Sequence, residues 1–314
     1  MLNVRKILYP TDFSECSKQA LNQAIFLAES LNAELFMLHA VVLHADDVED
    51  KVHDFPGRRE MLQRMFEVAD SELARLAGER STEPLRIRQE RRRGYSPASV
   101  IADYAVENDI DLIVMGTHGR RAATRFLLGS TAEEILRRAA CPVLTISPSA
   151  TNLKALNKIL VPVDFSGHSP RGVATASALA DKFGAELSMI HVIEWPAQPD
   201  FYGWSANQGA LDDLTRRAGA ELETLLAEVG GPVESTRRRV LIGHPASQVV
   251  RLIEEEGFDL VVLPTHGLTG LNRWLMGSNA QEVARQAGCP VLSLSPHSKA
   301  IATKEPEKAA TVTA

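Results

Sequence analysis

Short continuous apolar runs alternate with longer amphipathic stretches along most of this chain. In the first half the apolar runs predict strands at 5–10, 34–42, 85–92, 111–115 and 142–146. Runs without polar alternation mark strands that are covered on both faces. The amphipathic stretches between them predict helices near 14–31, 60–79, 97–108 and 130–139. Ser14, with Glu15 behind it, reads as a helix start, and Ser96-Pro97 and Pro245 read as a cap and first-turn prolines. Strand–helix alternation with right-handed crossovers predicts a parallel, doubly wound sheet.

The second half repeats the first. Lys6-Ile-Leu-Tyr-Pro-Thr-Asp-Phe-Ser14 matches Lys158-Ile-Leu-Val-Pro-Val-Asp-Phe-Ser166, and Ala33 to His39 matches Ala185 to His191, both 152 positions apart. Asp111 to Gly119 matches Asp259 to Gly267, and Cys141 to Pro148 matches Cys289 to Pro296, both 148 apart. A nearly constant offset means a duplicated domain. The expected fold class is therefore α/β, two tandem Rossmann-like domains, each a five-stranded parallel sheet with helices on both faces. We place copy one at 1–150 and copy two at 151–297, and expect the polar tail 298–314 to be disordered.

Composition narrows the function classes. The net charge is -6 and neither half is basic, so nucleic acid is not an expected partner. Two basic runs, Arg91-Arg92-Arg93 and Arg237-Arg238-Arg239, recur at equivalent places and read as solvated strand edges. No apolar run approaches the roughly 20 residues needed to span a bilayer, and the N-terminus leads straight into a strand, so a cytoplasmic, membrane-free protein is expected. Cys16, Cys141 and Cys289 form no metal spacing, and Cys141 and Cys289 read as buried apolar residues. No HExxH, Cys/His cluster or DxDxDG motif suggests a dedicated metal site.

In doubly wound sheets ligands sit beyond the carboxyl ends of the strands, where strand order reverses. Three segments of copy one converge there: Tyr9-Pro10-Thr11-Asp12, His39-Ala40-Val41, and Met115-Gly116-Thr117-His118-Gly119-Arg120 with Arg121, Arg125 and Leu128-Gly129-Ser130-Thr131. The glycines Gly116, Gly119 and Gly129 let backbone approach a ligand closely. Gly129-Ser130-Thr131 opens a helix whose N–H groups suit an anion, and the arginines can neutralise phosphate. His39 and His191 read as hydrogen-bonded core histidines, whereas His118, inside the glycine loop, is a candidate nucleotide contact.

Lys6 to Ser14, Met115 to Thr131 and Cys141-Pro-Val-Leu144 resemble the universal stress protein family, with both copies alike across nearly the whole chain. The resemblance implies that Gly116-x2-Gly119-x9-Gly129-Ser130 cradles the ribose and phosphates of ATP. It implies that Asp12 reaches the nucleoside, that Pro10 and Thr11 line the adenine pocket, and that Ala40 touches the base through its backbone. Any Mg²⁺ would arrive with the phosphates. Copy two departs from the pattern: Pro264 replaces Gly116, Leu268 and Thr269 replace Arg120 and Arg121, while Asp164, Gly267, Arg273, Gly277 and Ser278 remain. Copy two is thus expected to be a degenerate site.

The expected function is an ATP-binding switch or sensor in a stress response. The chain lacks GxxxxGK[ST] and reads Thr-Asp-Phe-Ser where related adenylating domains carry Ser-Gly-Gly-x-Asp-Ser. A slow ATPase, or self-phosphorylation at Ser130 or Thr131, is the alternative, and a purely structural interaction protein is the second. The family also pairs last strands between domains, so an intramolecular pseudo-dimer through Val143–Ile146 and Val291–Leu294 is expected. A homodimer of chains, through the aromatic loop Trp195, Phe201, Tyr202 and Trp204, is not required by the sequence.

Overall fold

The computed structural model describes residues 2–42, 57–78, 85–119, 128–151, 154–194, 208–231, 235–265 and 277–302. Copy one runs β1 (Lys6–Pro10), α1 (Glu15–Leu31), β2 (Glu34–Val42), α2 (Arg58–Gly78), β3 (Ile87–Gly94), α3 (Pro97–Glu107), β4 (Leu112–Gly116), α4 (Ser130–Arg138) and β5 (Val143–Ile146). Copy two repeats it as β6 (Lys158–Pro162), α5 (Ser169–Phe183), β7 (Glu186–Ile193), α6 (Gln208–Glu228), β8 (Arg237–Ile242), α7 (Pro245–Glu256), β9 (Leu260–Pro264), α8 (Ser278–Gln286) and β10 (Val291–Leu294). Local chemistry sets the helix starts. Ser14 and Ser96 accept the backbone N–H of Ser17 and Ser99, and Pro97 and Pro245 occupy first-turn positions.

The ten strands form one sheet in the order β3-β2-β1-β4-β5-β10-β9-β6-β7-β8. Pairing is parallel within each copy, and the single antiparallel pair among the described strands is β5 with β10, where Leu144 lies opposite Leu292. Alternate strand residues feed two apolar layers. Ile7, Tyr9, Leu144 and Leu292 face α1, α2, α5 and α6, while Leu8, Ile113, Val143 and Val291 face α3, α4, α7 and α8. Both layers run unbroken across the seam. Burial on both faces explains the continuous apolar runs of the central strands.

The outer strands are different. β3 and β8 carry the two arginine runs, several of whose side chains engage acids. Arg91 pairs with Asp70 at 2.9 Å and lies over the Phe66 ring, Arg92 reaches Glu107 at 3.5 Å, and Arg239 grips Glu256 at 2.5 Å. Charged side chains along an edge also oppose pairing with another sheet. Cys141 and Cys289 are buried, and desolvation pushes both thiols up to about 12.

Two segments cross at the seam with the 148-residue period of the repeat. The Thr151 N–H donates to the Gly288 carbonyl, and the Lys299 N–H to that of Ala140; the Ser147 hydroxyl donates to Ala287, and that of Ser295 to Ala139. Residues 298–302, which the sequence reading put in a disordered tail, are therefore docked as far as they are described. The Arg171 guanidinium binds Ser298 and the Lys299 carbonyl, and Leu2 bridges Ala302. The Lys299 ammonium meets Asp111 at 2.6 Å, and Asp111 in turn accepts the N–H groups of Arg5 and Lys6.

That geometry ranks two substitutions. Asp111→Ala should cost about 2 kcal/mol, because it strands two backbone donors, while Lys299→Ala, which removes one half-exposed charge, should cost under about 1 kcal/mol. Chemical denaturation of both variants checks this order, and a larger loss from Lys299→Ala would contradict it.

Candidate functional site

Strand order reverses between β1 and β4, and the carboxyl ends of these strands splay apart there. The β1–β2 ladder stops at Pro10 and Leu38, so Ala40 lies on β2 beyond its end. After β1 the chain turns sharply. Asp12 Oδ1 accepts the Ser14 N–H at 3.0 Å, and Phe13 takes a left-handed conformation with φ 65°. A phenylalanine in that region is strained. Its ring stacks on His39, with centroids 4.5 Å apart, and the His39 Nδ1–H donates to the Thr11 carbonyl at 2.8 Å. His39 is thus hydrogen-bonded, as the sequence suggested, though it is only partly buried and supports the turn rather than the core.

Beneath the turn lies a buried hydroxyl cluster. The Tyr9 hydroxyl lies 3.1 Å from Thr11 Oγ1 and 2.8 Å from Ser17 Oγ, and the Ser17 hydroxyl donates to Thr11 at 2.9 Å. The Thr11 side chain is therefore committed inward, with 6% of its surface exposed. Nothing in the spacing of Tyr9, Thr11 and Ser17 marks such a cluster, because it joins a strand, a turn and a helix.

The glycine loop folds onto this turn. A Cβ on Gly119 would stand 2.7 Å from Asp12 Oδ2, and one on Gly116 would stand 2.8 Å from Cys16 Sγ. A Cβ on Gly129 would stand 2.9 Å from the Thr117 carbonyl, which already accepts the Gly129 N–H. Contacts below 3.0 Å force a shift, so the protein's own packing constrains Gly116 and Gly129, which meet backbone, whereas at Gly119 the Asp12 carboxylate would have to turn away. Burial raises the Cys16 thiol above its ordinary range. Met115 and Gly116 end β4, and Gly129 precedes α4 without a side chain to cap it, so Ser130 and Thr131 stand at a helix start whose N–H groups are available.

His118 is buried, and its Nδ1 lies 2.8 Å from Thr117 Oγ1, which itself lies within reach of the Ile146 carbonyl. In the tautomer whose Nδ1–H donates to the threonine hydroxyl, Nε2 is an acceptor. Among the described residues that Nε2 has no hydrogen-bond partner. Pro10, Thr11, Asp12, Ala40, Met115, Gly116, His118, Gly119, Gly129, Ser130 and Thr131 all fall at this end of the sheet. Arg120, Arg121 and Arg125 lie outside the described residues, as do His266, Gly267, Leu268, Thr269, Arg273 and the aromatic group Trp195, Phe201, Tyr202 and Trp204.

Copy two keeps the turn and changes its surroundings. Phe165 has φ 58°, packs at a tilt on His191 with ring centroids 4.4 Å apart, and follows Asp164. Val161 and Val163 replace Tyr9 and Thr11, so the Ser169 hydroxyl, which corresponds to Ser17, binds Asp164 Oδ1 at 2.8 Å instead. Pro264 is accommodated by a paired change in α5. A Cβ on Gly172 would stand 2.7 Å from the proline Cγ, and copy one has Ala20 at the corresponding place. The space of one methyl has passed from helix to strand. Gly172→Ala, which in an ordinary helix stabilises by about 1 kcal/mol, should here destabilise by about 1–3 kcal/mol. Adding Pro264→Gly should recover part of that loss. A stabilising Gly172→Ala in urea unfolding would contradict the pairing.

Between β6, β7, β9 and the starts of α7 and α8 in copy two there is a cavity of about 680 Å³. Sequence patterns gave no sign of it, because it depends on which side chains fail to fill a crevice.

A tandem, parallel, Rossmann-like pair with a glycine-cleared crevice at the strand-order switch defines the class. The universal stress protein family model matches residues 3–147 and again 155–294, and the chain belongs to that family. A universal stress protein of Synechocystis is 23% identical over 309 residues, covering 92% of this chain and 99% of its own. One from Thermus aquaticus is 34% identical over 134 residues, covering 43% of this chain and 95% of its own. The crystal structure of a universal stress protein from Archaeoglobus fulgidus superposes with a TM-score of 0.61 at 21% identity, covering 92% of this chain and 97% of that one, and it shares the fold.

Proposed function

We propose that copy one, residues 1–150, binds ATP as a nucleotide-dependent switch, and that copy two, residues 151–297, does not. The observation that carries this reading is the close approach of Gly119 to the Asp12 carboxylate and of Gly129 to the Thr117 carbonyl, each within the space of a missing Cβ, beside the start of α4. Backbone N–H groups at a helix start favour phosphate. Ser130 and Thr131 add hydroxyl donors, and Arg120 adds charge from the loop between. Asp12 and the Nε2 acceptor of His118 suit hydroxyl donors such as those of a ribose. Pro10, Ala40 and Met115 supply the apolar and backbone surface for a base, and Mg²⁺ would enter on the phosphates.

In copy two the same helix start remains, but the Asp164 oxygen is drawn to Ser169 and Pro264 removes a glycine. We further infer that the β5–β10 ladder holds the copies as an internal pair in solution. No helix among the described residues is long and apolar enough to cross a membrane. Mass spectrometry of protein purified under native conditions tests the reading. A co-purifying adenine nucleotide at one per chain supports it, and a chain that takes up no nucleotide on addition of ATP overturns it.

A further inference from the structure

We propose that the cavity of copy two is a binding site for a small apolar molecule that carries an amine. Its volume, about 680 Å³, lies within the range of small-molecule sites. Its walls are mainly apolar, with Val163, Val192, Val249, Leu263 and Pro264 among them. Such walls suit a hydrocarbon or aromatic body better than a triphosphate.

Charge decides what the polar end of the ligand must be. Asp164, Glu194 and Glu221 all line the cavity, and no ion pair engages any of them among the described residues. The hydrogen bonds of Asp164 from Ser166 and Ser169 both fall on Oδ1, which leaves Oδ2 outside them. The one cation among the described lining residues, Arg217, pairs at 2.5 Å with Asp213, a carboxylate that Arg216 also engages. His191, also on the lining, is committed through Nδ1 to the Val163 carbonyl. The start of α8 at Ser278 opposes the carboxylates with at most about half a positive charge. Three carboxylates outweigh it. The crevice of copy two therefore selects a cationic ligand, and this stands whether or not copy one takes ATP.

The test is a fluorescence anisotropy titration of the full chain with two probes of one shape, 1-pyrenemethylamine and 1-pyrenecarboxylate. The amine should bind once per chain and at least about 10-fold tighter than the carboxylate. Glu194→Lys with Glu221→Lys, both at exposed positions that spare the core, should reverse that preference. Gly129→Val in copy one should leave amine binding unchanged. Equal affinity for the two probes, or a preference that survives the double charge reversal, would overturn the proposal. Displacement of the amine by ATP would overturn it as well.

Discussion

Gly129→Val should abolish the proposed ATP binding by the whole chain, weakening it at least about 100-fold, or roughly 2.7 kcal/mol. The backbone at Gly129 is extended, with φ −63° and ψ 142°, so valine adopts it without strain. What valine cannot avoid is the Thr117 carbonyl, 2.9 Å from its Cβ. Either the loop or the start of α4 must move, and the N–H groups that would meet phosphate move with it. Stability should fall by only about 1–3 kcal/mol, the usual cost of overpacking. The matched control lies in copy two. A Cβ on Gly277 would meet the Thr265 carbonyl at 3.6 Å, an ordinary contact. Gly277→Val should leave both ATP affinity and stability near those of the parent. Calorimetric titration and thermal unfolding of the two variants, side by side, separate a lost site from a lost fold.

The second large effect belongs to the seam. Leu144 and Leu292 face each other across the antiparallel β5–β10 pair, and each is at least 97% buried. Leu144→Lys places an ammonium in an apolar layer shared by both copies, where no described carboxylate faces it within the ladder. Burying an unpaired charge is among the few changes that exceed about 4 kcal/mol. Leu144→Ile, which conserves volume, should cost less than about 1.5 kcal/mol. Denaturant unfolding measures the difference, and proteolysis near residues 147–157 reports whether the copies come apart first. A lysine variant within about 1 kcal/mol of the parent would mean that the ladder does not hold the copies together.

The elements were legible in the sequence because the strands are covered on both faces. Runs such as Leu112 to Met115 carry no competing signal, and Ser14, Ser96 and Pro97 mark helix starts by chemistry that acts within three residues. The duplication was legible for the same reason, since each block recurs intact. The glycine pattern located the crevice but not the cause of its glycines. Gly116 and Gly119 approach Cys16 and Asp12, 100 and 107 positions away along the chain. Pro264 read as damage to a loop, whereas Gly172 in α5 makes room for it. The hydroxyl cluster of Tyr9, Thr11 and Ser17 and the docked segment 298–302 were invisible, because each depends on contacts between distant segments rather than on local pattern.

The central claim is one nucleotide per chain, held in copy one. Isothermal titration of the full chain with ATP in the presence of Mg²⁺ addresses it directly. The account predicts a single class of sites with a stoichiometry of one, lost in Gly129→Val and retained in Gly277→Val. Two equivalent sites, or a single site that survives Gly129→Val and disappears in Gly277→Val, would contradict it.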